Sequence, residues 1–105
     1  MTDVYQAHAL QWENITIEVR YDPDWSPSYR DIYGYPLAHL EIESIDPAKA
    51  PLPMTETGYR SWFGAPADVD AEGGPVAFVC AWLDHEARSP AWQEAQTERR
   101  QLTLF

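Results

Sequence analysis

Residues 15–21 have the sequence Ile-Thr-Ile-Glu-Val-Arg-Tyr, and this stretch decides the fold class. Its apolar side chains alternate with polar ones, which is the two-residue period of a strand that has one buried and one solvated face. The stretch therefore predicts a β-strand, the most clearly marked strand in the chain.

A second stretch with the same period lies at residues 36–45. Its apolar set is Ala38, Leu40 and Ile42, and its polar set is His39, Glu41 and Glu43. Between the two stretches, Pro23 and Pro27 fix the backbone and remove amide donors, so the first strand must end there. We predict an antiparallel pair of strands, with His39 as a solvated residue on the polar face.

The rest of the N-terminal two thirds shows weaker patterns. Residues 1–9 have no clear period and are interpreted as an arm or as the start of the first strand. Residues 58–63 predict a short third strand, and residues 64–74 predict a loop or one short helical turn. The sheet is thus expected to have two to three strands.

Two helices are predicted near the C-terminus. The clearest one begins at Pro75, a residue suited to the first helical position. Apolar residues then recur at helical spacing, namely Val76, Val79, Cys80 and Leu83. This helix is expected to be the main cover on the sheet. Ser89 followed by Pro90 is a start signal for a second helix, from Pro90 to about Arg100.

Together these elements predict an α+β fold in which a small antiparallel sheet of two to three strands packs against two C-terminal helices. The 105 residues suffice for one domain with one core, which we assign to residues 1–100, followed by a peptide tail at residues 101–105. Cys80 is the single cysteine and cannot form an internal disulfide. The longest apolar run cannot span a bilayer, so a cytoplasmic location is expected.

The net charge of −10 bears on the class of partner. A chain this acidic is repelled by nucleic-acid phosphates and by anionic membrane surfaces. We therefore expect a protein partner, with no direct contact to nucleic acid or membrane. The oligomeric state is left open by the sequence.

The tail carries the one recognisable short motif. Residues 101–105, Gln-Leu-Thr-Leu-Phe, place three large apolar side chains after a strongly polar stretch, at a position where chain ends are usually solvated. This pattern resembles the motif with which bacterial DNA polymerases, mismatch-repair proteins and mobile-element proteins dock into the hydrophobic groove of the DNA sliding clamp.

The resemblance implies a role for each matching position. Leu104 and Phe105 would fill the groove as apolar anchors, and Leu102 would assist them. Gln101 would make polar contacts at the rim. Thr103 departs from the family pattern, in which serine or aspartate is commoner, and the likeness covers these five residues alone. The structural alternative is that the apolar side chains of the tail form a last short strand or pack into the core.

A second candidate surface lies in the segment between the first two strands, which we predict to be a loop. It contains four large aromatic residues, Trp25, Tyr29, Tyr33 and Tyr35. This content is too high for a purely solvated connection, so the loop either folds back over the sheet or forms a contact surface. Tyrosine and tryptophan are enriched at the energetic centres of protein interfaces.

The sequence predicts no catalytic, metal or cofactor site. Its histidines are His8, His39 and His85. They share no metal-ligand spacing with one another or with Cys80. The glycine pair at residues 73–74 lacks the lysine and the hydroxyl of a phosphate-binding loop.

The leading hypothesis is a non-enzymatic protein-interaction module of a bacterium or its mobile elements that docks to the sliding clamp through its tail. The body, over residues 12–42 and around residues 57–60, is also similar to small uncharacterised proteins of proteobacterial plasmids and phages, which implies no activity. The alternative is an acidic inhibitor that presents carboxylates to a nucleic-acid-binding or defence protein in place of phosphates.

Overall fold

A computed structural model of the chain describes the backbone of residues 5–103 and the side chains of residues 5–99. The elements follow in the order β1 (Gln6–Trp12), β2 (Ile15–Asp22), α1 (Pro27–Tyr33), β3 (Ala38–Asp46), β4 (Tyr59–Gly64), α2 (Pro66–Ala71), α3 (Pro75–Glu86) and α4 (Pro90–Thr103). The strands form one sheet in the order β1-β2-β3-β4, and every neighbouring pair is antiparallel. The α+β class and the antiparallel sheet are confirmed.

The sheet has four strands, and the prediction of two to three was wrong because β1 was interpreted as an arm or as the start of the next strand. Cross-strand pairing sets His8 opposite Val19 and Leu10 opposite Ile17. Only the last part of the inner face of β1 is strongly apolar, so its period is too short to stand out. The connection to β2 is equally inconspicuous, because it turns at Glu13, a residue with φ of 53°, instead of at glycine.

The core lies on one face of the sheet. Alternate residues of β2 and β3 point into it, and α3 packs across β1 and β2. The fully buried side chains are Ile17, Val19, Ala38, Leu40, Ile42, Val69, Val79 and Leu83. The predicted role of the Pro75 helix as a cover on the sheet is therefore confirmed, although Cys80 is only half-buried. Burial, with the nearby charge of Asp84, raises the pKa of the Cys80 thiol.

Helix α1 replaces part of the predicted loop between β2 and β3, so the helices are not all C-terminal. The Ser26 hydroxyl accepts a hydrogen bond from the Tyr29 amide at 3.2 Å, and Pro27 occupies the first turn. Gly34 ends the helix with φ of 82°, and its amide donates to the Arg30 carbonyl. The same serine–proline signal was used to predict α4. In α1 it was missed because no residue of the helix is buried, which leaves no apolar period.

Helix α4 is longer than predicted, and Trp92 is the one buried residue among its described side chains, residues 90–99. Trp92 is buried, with its ring 6.1 Å from the ring of Trp12. The helical backbone continues to Thr103, three residues beyond the predicted end at Arg100. Within residues 5–103, no helix is long and apolar enough to cross a membrane.

Candidate functional site

The outer face of the sheet, opposite α3, carries the candidate site. Strand register places Asp22, His39 and Phe63 side by side across β2, β3 and β4. The next row along the strands contains Arg20, Glu41 and Ser61. Side chains in one row are close enough to interact, so the register alone creates a polar and aromatic surface.

His39 is the centre of this surface and is only 7% exposed, so the prediction that it is a solvated residue was wrong. Its imidazole stacks on the Phe63 ring at a centroid distance of 4.2 Å and an interplanar angle of 8°. The rings of Tyr5 and Trp25 approach it edge-on, at 5.7 and 5.6 Å. His39 does point to the polar face, but aromatic rings exclude water from it.

Both ring nitrogens of His39 have hydrogen-bond partners. The Tyr5 hydroxyl bonds to Nδ1, and the Ser61 hydroxyl lies 2.8 Å from Nε2. A hydroxyl can donate or accept, so a neutral imidazole is satisfied in either tautomer. We refer to Tyr5, Trp25, His39, Ser61 and Phe63 as the His39 cluster.

Burial lowers the pKa of His39 below its ordinary value. The charge of Arg20 acts in the same direction, and the carboxylates of Glu41 and Asp22 oppose it. Because the folded state disfavours the protonated ring, protons bind the unfolded chain more strongly. The stability that neutral His39 contributes is complete above the unfolded pKa of about 6.5 and is lost as the pH falls below it.

We therefore expect the melting temperature to fall when the pH is lowered from 7.5 to 5.5, and to fall less in His39→Gln. Glutamine keeps hydrogen-bonding groups but does not titrate, and His8, His85 and all carboxylates are present in both proteins. Thermal melts of both proteins over this range measure the difference. Parallel pH profiles for the two proteins would show that His39 does not sense pH.

Trp25 joins the His39 cluster to the chain that follows. Its ring lies 4.9 Å from that of Phe63, and its amide donates to the Leu37 carbonyl at 2.9 Å. That hydrogen bond joins the two ends of the segment formed by residues 25–37, which we call the excursion. The segment leaves the sheet after β2 and returns to it at the start of β3. Trp25 remains 45% exposed and Phe63 47% exposed, so both rings also face solvent.

The excursion displays three tyrosines that pack on each other, Tyr29, Tyr33 and Tyr35, which we call the tyrosine cluster. The ring of Tyr29 is 4.5 Å from that of Tyr33 and 5.8 Å from that of Tyr35. A hydrogen bond to Tyr35, with partial burial, raises the pKa of Tyr29. Tyr33 is 59% exposed and Tyr35 50% exposed. The two alternatives for this segment therefore apply to different residues: Trp25 folds onto the sheet, Tyr33 and Tyr35 are exposed, and Tyr29 is half-buried.

An ion-pair network fills the adjoining part of the outer face. Arg20 pairs with Glu18, with Glu41 at 3.1 Å and with Glu43 at 3.2 Å. Burial alone would lower the pKa of Arg20, but hydrogen bonds to Glu41 and Glu18 raise it overall. The Tyr59 hydroxyl donates to Glu41 at 2.7 Å and, together with Arg20, lowers the pKa of that carboxyl. The guanidinium of Arg20 is thus paired with carboxylates of the same chain.

The predicted clamp motif falls at the edge of the described chain. The backbone of Gln101 and Leu102 belongs to α4. The side chains of these two residues, and all of Leu104 and Phe105, lie outside the described residues. The structure therefore gives no contacts for this motif.

In the part of the chain that the structure describes, no group of three or more His, Cys, Asp or Glu is placed to hold a metal ion. Shallow hollows line α3 and α4; one, of about 130 Å³, lies between residues 51–56 and α4. The His39 cluster and the tyrosine cluster are therefore taken together as the candidate site, since Trp25 and the three tyrosines all lie within residues 25–35.

Four members of the His39 cluster, Tyr5, His39, Ser61 and Phe63, were not identified as site residues from the sequence. They come from three different strands or their ends, and Tyr5 and His39 are 34 positions apart. The only local signal for the cluster in the sequence was Trp25. It follows β2, the strand that pairs with the His39 strand, β3. The tyrosines, in contrast, were found because they are close together in the chain.

A family model described as the KlcB third domain matches residues 5–92. The matched range contains the whole sheet, both aromatic clusters and α1 to α3, and it ends inside α4 before the tail motif. No curated protein and no solved structure matches the chain.

Proposed function

The chain belongs to the KlcB third-domain family, and from this membership and its exposed aromatic residues we propose that it is a small accessory domain that binds another protein. The observation that carries the proposal is a set of five exposed large apolar side chains, four of them within residues 25–35 and the fifth, Phe63, in ring contact with Trp25: Trp25, Ile32, Tyr33, Tyr35 and Phe63. We call it the aromatic surface. Each of the five is 45% or more exposed, and Ile32 reaches 73%.

Contact between large apolar side chains and water is unfavourable in free energy unless a partner covers them. Soluble proteins rarely expose contiguous groups of large apolar side chains, and those that do usually bind something there. Tyrosine and tryptophan dominate the energetic centres of protein interfaces because they combine large area with few rotatable bonds. The composition of the aromatic surface is typical of such a centre.

The aromatic surface is also organised before binding. The Phe63 ring is held by its stack on His39, and Trp25 is held by both rings and by its backbone bond to Leu37. α1 is capped at both ends by Ser26 and Gly34. Side chains that are already ordered lose less entropy on association, so this arrangement favours binding.

Site-specific cross-linking tests the proposal. A photoreactive phenylalanine at position 33 or 35 is expected to give a discrete adduct with one partner in the cells that produce the protein. The matched control is position 45, where Ile45 is 46% exposed at the far end of β3. Adducts that are absent from all three positions, or equally frequent at all of them, would contradict a binding role for the aromatic surface.

A second candidate function is docking to the bacterial sliding clamp, supported by the resemblance of residues 101–105 to the clamp-binding motif. The helical backbone of α4 continues past the buried Trp92 for a further eleven residues, to Thr103. An extended peptide could form by unwinding the last turn, because helix ends open at little cost.

Removal of residues 101–105 separates this second function from the first. We expect the full chain to bind purified clamp and the chain ending at Arg100 to lose binding about a hundredfold or more, because both apolar anchors are gone. The melting temperatures of the two should agree within a few degrees. If neither binds and the shorter chain melts much lower, the tail is part of the core. That the chain is not an enzyme stays a prediction.

A further inference from the structure

The charges around the aromatic surface are unbalanced toward negative. Arg30 is the one cation on α1, and it already pairs with Asp24 at 2.5 Å. Asp31 lies between the tyrosines on the same helix and is exposed, with no ion-pair partner among the described residues. The second carboxylate oxygen of Asp24 is buried and accepts no hydrogen bond from the described part of the chain.

A guanidinium group can bind both the exposed rings and the carboxylates. A guanidinium stacks on aromatic faces and forms forked hydrogen bonds with carboxylates, and it is more weakly hydrated than an ammonium. Among its described side chains, the protein makes the guanidinium–aromatic contact twice. Arg60 lies over the Trp82 ring at 5.4 Å, and Arg99 lies over the Trp92 ring at 5.0 Å.

We propose that the aromatic surface binds a basic segment of its protein partner, one that places arginine side chains on Trp25, Phe63 and the tyrosine cluster. Asp31 supplies the complementary charge, and the net charge of −10 attracts the segment from a distance. The inference rests on the proposed function, because it names the partner chemistry of the same surface. It also explains why the surface carries tyrosines beside carboxylates and not leucines alone.

Peptide titration tests the partner chemistry. The full chain is titrated by calorimetry, at about 0.15 M salt, with three peptides of equal length in which glycine alternates with arginine, lysine or glutamate. We expect the arginine peptide to bind, the lysine peptide to bind about threefold or more weakly, and the glutamate peptide not to bind.

Variants identify the surface. Replacing Tyr33 and Tyr35 together by alanine should weaken the arginine peptide about tenfold, because two exposed cation–aromatic contacts are lost. Asp31→Asn should weaken it about twofold, since single exposed ion pairs contribute little. Ile45→Ala is the matched control and should bind as the unaltered chain does. Asp31 and Ile45 are exposed, so changing them should not alter the melting temperature appreciably, and the double tyrosine variant, which loses ring contacts with Tyr29, should lower it only slightly.

The outcomes separate the inference from the proposed function. If lysine binds as well as arginine and the double tyrosine variant is unaffected, the attraction is diffuse charge, as an acidic inhibitor would show, and the inference is overturned. If no basic peptide binds but cross-links still form at positions 33 and 35, the surface binds a protein of other chemistry. Loss of both peptide binding and cross-links would overturn both.

Discussion

Gly58→Ala is expected to reduce the free energy of unfolding by about 2–5 kcal/mol, a large part of the stability of a domain this size. Gly58 has a φ of 78°, in the left-handed region that residues with a Cβ disfavour. A Cβ there would also lie 2.7 Å from the Lys49 carbonyl carbon and 2.9 Å from the Ala50 carbonyl oxygen. These are backbone atoms, which cannot move aside as a flexible side chain could.

The surrounding hydrogen bonds make the site harder to adjust. The Gly58 carbonyl accepts from the Ser44 amide at 2.7 Å, and the Ser44 hydroxyl donates to the Ala50 carbonyl at 2.7 Å. Moving Gly58 therefore disturbs the end of β3 and the start of β4 together. Phe63 lies on β4, so the aromatic surface should be disturbed as well.

Gly34→Ala is the matched control for this prediction. Gly34 has a similar φ of 82°, but a Cβ built there meets nothing within 4 Å. Only the conformational cost remains, about 1 kcal/mol. Denaturant titrations of both variants measure the difference in unfolding free energy. Equal losses would mean that the backbone beside Gly58 relaxes freely, contrary to the contacts described.

Ile42→Ala is the second large effect, with an expected loss of about 2–5 kcal/mol. Ile42 is fully buried on the central strand β3, where Val19 and Arg60 flank it on the neighbouring strands. Truncation removes its apolar contacts and leaves a cavity that the two flanking strands, held by their hydrogen bonds, cannot close.

The same substitution on α1 provides the control. Ile32 is 73% exposed, and Ile32→Ala should change the unfolding free energy by less than about 0.5 kcal/mol. Thermal and urea unfolding of the two variants should therefore differ clearly. A loss at Ile32 as large as that at Ile42 would indicate that Ile32 is covered by a second molecule in solution.

The elements that could be predicted are those whose signals act over a few residues. Alternation marked β2 and β3, Pro75 marked α3, and the serine–proline pair marked α4. Where the signal was short or lacked a buried face, the prediction failed, as in β1 and α1. The grouping of Tyr29, Tyr33 and Tyr35 was likewise visible, because three positions close together in the chain stay close in any compact fold.

Local sequence patterns were enough to give the α+β class, the two central strands, the C-terminal helices and the acidic net charge. The burial of His39 and its ring contacts with Trp25 and Phe63 follow from the folded structure and not from any local pattern. That outcome depends on which residues of β3 and β4 stand opposite each other and on where the chain after β2 returns. Strand register is set by the whole inner face packing at once, so no local pattern contains it.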